Sequence, residues 1–98
     1  MQDATVRLDV NAVYNEVKNQ YEIDVELPWV PKEAVDLQIL PHGVMVRAKR
    51  GKVNYRGVYT FFLPVEEDRV TARYSRGLLT VEAPLKDQYV SAKKVKIT

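Results

Sequence analysis

The 98-residue sequence has no cysteine, a single histidine and two serines, Ser75 and Ser91. Without cysteine there is neither a disulfide framework nor a thiolate metal site, so the core must hold by packing alone. A reducing compartment, the cytoplasm, is the expected setting. A serine nucleophile needs a base within hydrogen-bond reach. The one candidate, His42, sits in the turn Pro41-His42-Gly43, where a solvated imidazole is the ordinary outcome, and no catalytic residue is assigned. The four glycines, Gly43, Gly51, Gly57 and Gly77, are scattered singly, which excludes a glycine-rich phosphate loop. Glu66-Glu67-Asp68 lack the spaced oxygen ligands of a calcium loop and read as a solvated connection, so no metal or cofactor is expected. No apolar run approaches the roughly 20 residues that span a bilayer, and no charged segment followed by an apolar one opens the chain. A soluble, untargeted protein that is not an enzyme is the expectation.

What is present is enough for one modest core: a chain of this length buries roughly 60–68 % of its unfolded surface. The net charge of +2 hides an asymmetry. Met1 to Val46 carries three Lys/Arg against eight Asp/Glu, while Arg47 to Thr98 carries twelve against five. Two readings stand side by side. Acidic strands pair with basic neighbours inside one domain, or opposite charges on different subunits steer self-assembly and weaken with salt.

Alternation of apolar and polar residues is the dominant local signal. Val6, Leu8 and Val10, then Tyr21, Ile23, Val25 and Leu27, then Val35, Leu37 and Ile39 read as half-buried strands. Val10, Val13, Tyr14, Val17 and Tyr21 also fit one helix face, but asparagine, glutamine and β-branched residues favour a strand running to about Glu16, with a turn at Lys18-Asn19-Gln20. Pro41-His42-Gly43 predicts a hairpin, glycine supplying φ > 0, with Val44 to Ala48 as the returning strand. Tyr59 to Leu63, Val70 to Tyr74 and Leu79 to Ala83 follow, and Pro28, Pro64 and Pro84 mark strand ends. Pro31 to Ala34 is the only helical turn expected. Short strands at this spacing suggest an all-β sandwich or barrel. A small β module could also bind single-stranded nucleic acid through Arg47, Lys49, Arg50, Lys52 and Arg56 around Tyr55. That match is loose, because Tyr59 and Phe61 share a strand face better suited to a core.

Several segments together resemble the α-crystallin domain of small heat-shock proteins. They are Gln20 to Pro28 with its closing Leu-Pro, Phe61-Phe62-Leu63-Pro64, Ala72-Arg73-Tyr74-Ser75-Arg76-Gly77-Leu78-Leu79, Val81 to Pro84, and Val95-Lys96-Ile97. The resemblance covers about Val6 to Ile97 and implies an immunoglobulin-like antiparallel β-sandwich of about 7–8 strands over residues 1–84, with a C-terminal extension at 85–98. It also implies an ATP-independent holdase that forms homodimers and larger homo-oligomers and binds unfolding client proteins. A CS-domain-like adaptor without holdase activity is the alternative. Trp29 stands where the family usually has glycine, and Tyr59 where an arginine is often found. The connection Gly51 to Gly57 is shorter than the loop many microbial members exchange between partners. Little more than Met1 to Thr5 precedes the first strand, as in a minimal member or an excised core.

In the family the C-terminal Ile/Val-x-Ile/Val motif docks in a groove. Val95 and Ile97 are two apart and point to one side of an extended tail. The ten residues 85–94 span up to about 33 Å, enough to reach a neighbouring subunit. The resemblance places the groove between Val35, Leu37 and Ile39 on one strand and Val70, Ala72 and Tyr74 on another, residues equally suited to sandwich core. For the tail the other reading is a last strand paired within the domain. Gly77 is read as a turn position needing φ > 0.

Overall fold

Strands form where β-branched and aromatic residues alternate with polar ones, and each buries one face. The computed structural model describes residues 4–86 and 93–98. Its strands are β1 (Ala4–Arg7), β2 (Val10–Asn15), β3 (Gln20–Glu26), β4 (Val35–Leu40), β5 (Gly43–Arg50), β6 (Val53–Thr60), β7 (Thr71–Ser75) and β8 (Leu78–Pro84). They form two four-stranded sheets, β1-β6-β5-β4 and β2-β3-β8-β7, packed as a sandwich. Every pairing is antiparallel except β1 with β6. The core lies between Ile23, Val25, Leu79 and Val81 of one sheet and Val44, Val46 and Ala48 of the other. Phe61 closes it, stacked on Tyr21 with ring centroids 4.7 Å apart; burying such a ring contributes about 3 kcal/mol. Among the described residues no helix is long and apolar enough to cross a membrane.

The expected single strand from Val6 to Glu16 is two strands in different sheets. The chain leaves β1 at Leu8-Asp9 and crosses to β2, passing over Gly57 of β6. A Cβ on Gly57 would lie 2.8 Å from Val10 Cγ2 and 3.0 Å from Leu8 Cβ. Only glycine admits the crossover at that distance. The Leu8 amide donates to the Arg56 carbonyl at 2.7 Å, and the Ala4 amide to that of Lys52 at 3.1 Å.

The structure departs from other expectations as well. Gly43 does not take positive φ; its lack of a side chain serves instead the close approach of the Tyr59 carbonyl, 3.3 Å from where a Cβ would stand. The strand expected at Tyr59 to Leu63 begins earlier and stops at Thr60, because Phe61 turns into the core. Residues 53–57, expected in a connection, are therefore strand, and the β5–β6 turn is only Gly51-Lys52, with Gly51 at φ 59°. The helical turn after Pro31 is a 3-10 turn at Lys32–Ala34, joined by an unexpected second one at Glu67–Arg69. Leu85 is buried, and its amide donates to the Asn19 carbonyl at 3.0 Å.

The charge asymmetry also resolves. β3, which carries Glu22, Asp24 and Glu26, pairs with β2 and β8, while the basic β5 and β6 lie in the other sheet. Asp36 opposite Arg47 is the one directly paired opposite-charge couple in the described strand registers. Along the described strands, acidic residues thus gather mainly on the outer face of one sheet and basic residues on that of the other.

Candidate functional site: the groove between two edge strands

Because the short link Leu8-Asp9 holds β1 and β2 on one side of the sandwich, the far edges β4 and β7 share the other side. On β4 the alternation turns Val35, Leu37 and Ile39 toward the opposite sheet and Asp36, Gln38 and Leu40 outward. Val35, Leu37 and Ile39 are only half-buried, β4 being the edge of its sheet among the described residues, yet they pack against the core. Across from them stand Val70, just before β7, and Tyr74, both half-buried against the core. Ala72 between them is exposed. The candidate residues therefore line the open side of the sandwich, with Ala72 the least covered.

Tyr74 is more than a lining residue. Its hydroxyl donates to the Leu27 carbonyl at 2.8 Å and the Val30 carbonyl at 2.6 Å, one proton shared by two acceptors. The contact ties edge strand β7 to the segment that leads into β4, and burial pushes the Tyr74 phenol up. The Gly77 carbonyl accepts from the Leu27 amide at 2.6 Å. Arg76 and Gly77, at φ 52° and 78°, form the two-residue turn between β7 and β8, the positive-φ pair that matches hairpin twist. A Cβ on Gly77 would also meet Pro28 Cα at 3.2 Å. The stretch Ala72 to Leu79 is thus edge strand, tight turn and core strand, clamped to the end of β3.

Residue-by-residue reading did not predict the shape of the segment between β3 and β4. Trp29 takes φ 68° and is 82 % exposed, a left-handed conformation that costs a non-glycine residue about 1–2 kcal/mol. The available signal was the glycine usual at this position in the resembling family. The other arm of the site, Val95 and Ile97, is 77 % and 93 % exposed. Tyr55, at the centre of the basic run, packs half-buried against the core. Among the described residues no group of three or more acidic or histidine side chains is placed to hold a metal ion.

Comparison with known proteins agrees with this geometry. The family model of the Hsp20/alpha crystallin family matches residues 13–98. The chain is 31 % identical to small heat shock protein C4 of Rickettsia felis over 85 % of its length, and spans 60 % of that relative. Among solved structures, heat shock protein 16.0 from Schizosaccharomyces pombe superposes with a TM-score of 0.74 at 20 % identity, covering 96 % of this chain and 77 % of that one. A small heat-shock protein from Xylella fastidiosa, described as having a distinct high order structure, gives 0.68 at 15 % identity over 93 % and 95 %. The chain belongs to the Hsp20/alpha crystallin family.

Proposed function

We propose that this chain is the α-crystallin core of an ATP-independent holdase, not an enzyme, acting in the cytoplasm on unfolding client proteins. Copies join when Val95 and Ile97 of one tail enter the groove between β4 and β7 of another. The observation that carries this reading is that both halves of the contact lie open in the single chain: the inward faces of two edge strands are half covered, and the two tail side chains are 77 % and 93 % exposed. Burying both would contribute about 3–6 kcal/mol gross, much of it offset by ordering the tail. A single contact of that size binds near millimolar, and repetition around an oligomer makes it stable yet exchanging. The two-residue turn between β5 and β6 leaves no loop there to exchange with a partner, so dimers form through edges, faces and tails.

The test is light scattering from a heat-labile client warmed with and without the intact chain, in the absence of ATP. Suppression of scattering at near-equal mass is expected. Unchanged scattering across a range of ratios refutes the holdase reading and leaves the adaptor alternative.

A further inference from the structure

Alternation assigns every charged strand residue to an inward or an outward face, and pairing registers place the outward ones side by side. On the sheet β1-β6-β5-β4, Arg7 lies opposite Arg56, Arg56 opposite Arg47, and Arg47 opposite Asp36. With neighbouring strands about 4.8 Å apart, three guanidiniums cross the sheet in one row about 10 Å long. Lys49, two residues beyond Arg47, extends the charge along β5. Among the described strand residues this outer face carries four basic side chains, Arg7, Arg47, Lys49 and Arg56, against one acid, Asp36. The row borders a shallow cleft of 440 Å³ that Arg47, Lys49, Asn54 and Arg56 help line.

The outer face of the sheet β2-β3-β8-β7 is the converse. Glu22, Asp24 and Glu26 stand in a column along β3, about 7 Å apart, and Glu22 lies directly opposite Glu82 of β8. Among its described strand residues the one base is Arg73, on the edge strand. The acidic pair is held by neutral donors: Gln20 Nε2 donates to Glu22 at 3.1 Å and to Glu82 at 3.2 Å, and Asn15 Nδ2 to Glu22 at 3.3 Å. These bonds order the carboxylates and leave their charge in place. Counted over these described strand residues, the two faces carry net +3 and −3, four of one sign against one of the other on each. Like charges directly opposite destabilise a sheet, and here both sheets hold them on their exposed sides.

We propose that the two faces are docking surfaces for each other: the arginine row of one copy seats on the glutamate column of a second copy. A second copy is the occupant the observations favour, because it alone engages both faces and relieves both repulsions. The contact is heterologous, so a pair keeps one face of each sign free, one on each copy, and the stack can grow or close into a ring. Four strands about 19 Å across and some 20–26 Å long offer roughly 450 Å² per copy, about half the surface of a standard stable interface. The contact is therefore weak, steered by charge and sensitive to salt. It does not depend on the tail, so Ile97→Ala leaves its salt-dependent part intact.

Two full-length variants test it: Arg47→Glu with Arg56→Glu, which makes both faces acidic, and Asp24→Lys with Glu26→Lys, which makes both basic. All four positions are exposed, and circular dichroism melts verify that each variant folds. By sedimentation at about 0.1 M salt, each variant alone is expected to self-associate about tenfold more weakly than the unaltered chain. Equal amounts mixed should recover association to within about threefold. Near 1 M salt, where screening shortens from about 10 to about 3 Å, the difference should vanish. Should the double reversal not fold, Arg56→Gln carries the same expectation at about threefold. Because it removes the middle of three like charges, it should also raise monomer stability. Variants that associate like the unaltered chain, or a mixture with no recovery, overturn the proposal. So does unchanged association accompanied by loss of heparin binding in the acidic variant, which would make the arginine row a polyanion surface.

Discussion

Gly57→Ala is the perturbation that most sharply probes how the sheets are joined. Gly57 does not take positive φ, so alanine meets no backbone penalty, only the atoms crossing above it. The new methyl would stand 2.8 Å from Val10 Cγ2 and 3.0 Å from Leu8 Cβ, against an ordinary contact of 3.4–4 Å. Val10 is β-branched and stiff at χ1, and Leu8 Cβ moves only with its backbone, so the crossover itself must shift. Overpacking of this kind costs about 1–3 kcal/mol. Restricting the unfolded chain returns about 0.4–1 kcal/mol, leaving a net loss centred on about 1.3 kcal/mol. For a domain of this size that lowers the melting temperature by roughly 5–12 °C. The assay is a urea titration of Gly57→Ala, Val10→Ala and the double variant. Removing Cγ2 should restore part of the loss, a coupling of at least about 0.5 kcal/mol. Hydrogen exchange at the Leu8 amide should accelerate, since its bond to Arg56 rides on the crossover. A loss below about 0.5 kcal/mol, or no coupling to Val10, would refute the steric account.

The remaining predictions concern the clamp beside the groove. Tyr74→Phe removes the proton shared by the Leu27 and Val30 carbonyls and should cost about 1–2 kcal/mol in a denaturant melt. Its raised pKa means that above the ordinary phenol value of 10.0 the unfolded chain ionises first, so stability is full below that pH and is lost as pH rises through the folded value. The phenylalanine variant should show a shallower alkaline loss, and an unchanged slope would contradict the assignment. Trp29→Gly relieves left-handed strain at a side chain that buries little, and should raise stability by about 0.5–1 kcal/mol; a fall would show that the indole packs. Gly77→Ala meets both a positive φ and the Pro28 backbone, and should cost about 2 kcal/mol or more by the same measurement.

Much of this was legible from residues alone, for reasons the structure makes plain. β3, β4 and β8 alternate strictly, so their inward residues, such as Ile23, Leu37 and Val81, are readable at period two. Alternation does not say which sheet a strand joins. Val6, Leu8 and Val10 keep one rhythm while the chain changes sheets between them, and only the bare backbone of Gly57, nearly fifty residues on, permits it. Gly43 and Gly57 illustrate the same limit: a glycine kept for a close approach looks in sequence like one kept for a turn. The charge halves were visible, but their meaning rested on which strands pair, and β3 finds β8 rather than the basic β5 and β6. The groove residues were legible as alternating apolar sets and, through the family resemblance, as a pair of strands. That Tyr74 clamps the segment ahead of β4 required the fold.

The central claim is that the tail of one copy fills the groove of another. Sedimentation of the intact chain beside Ile97→Ala, at matched concentration and about 1 M salt to silence charged contacts, tests it most directly. Since Ile97 is 93 % exposed in the single chain, the substitution should leave the melting curve unchanged, within about 0.5 kcal/mol. If copies assemble through the tail, it should also shift the assembly to dimers or monomers, through loss of about 1.5–3 kcal/mol of burial at every tail. Oligomers of unchanged size, or an intact chain that stays monomeric at all concentrations, would contradict the account.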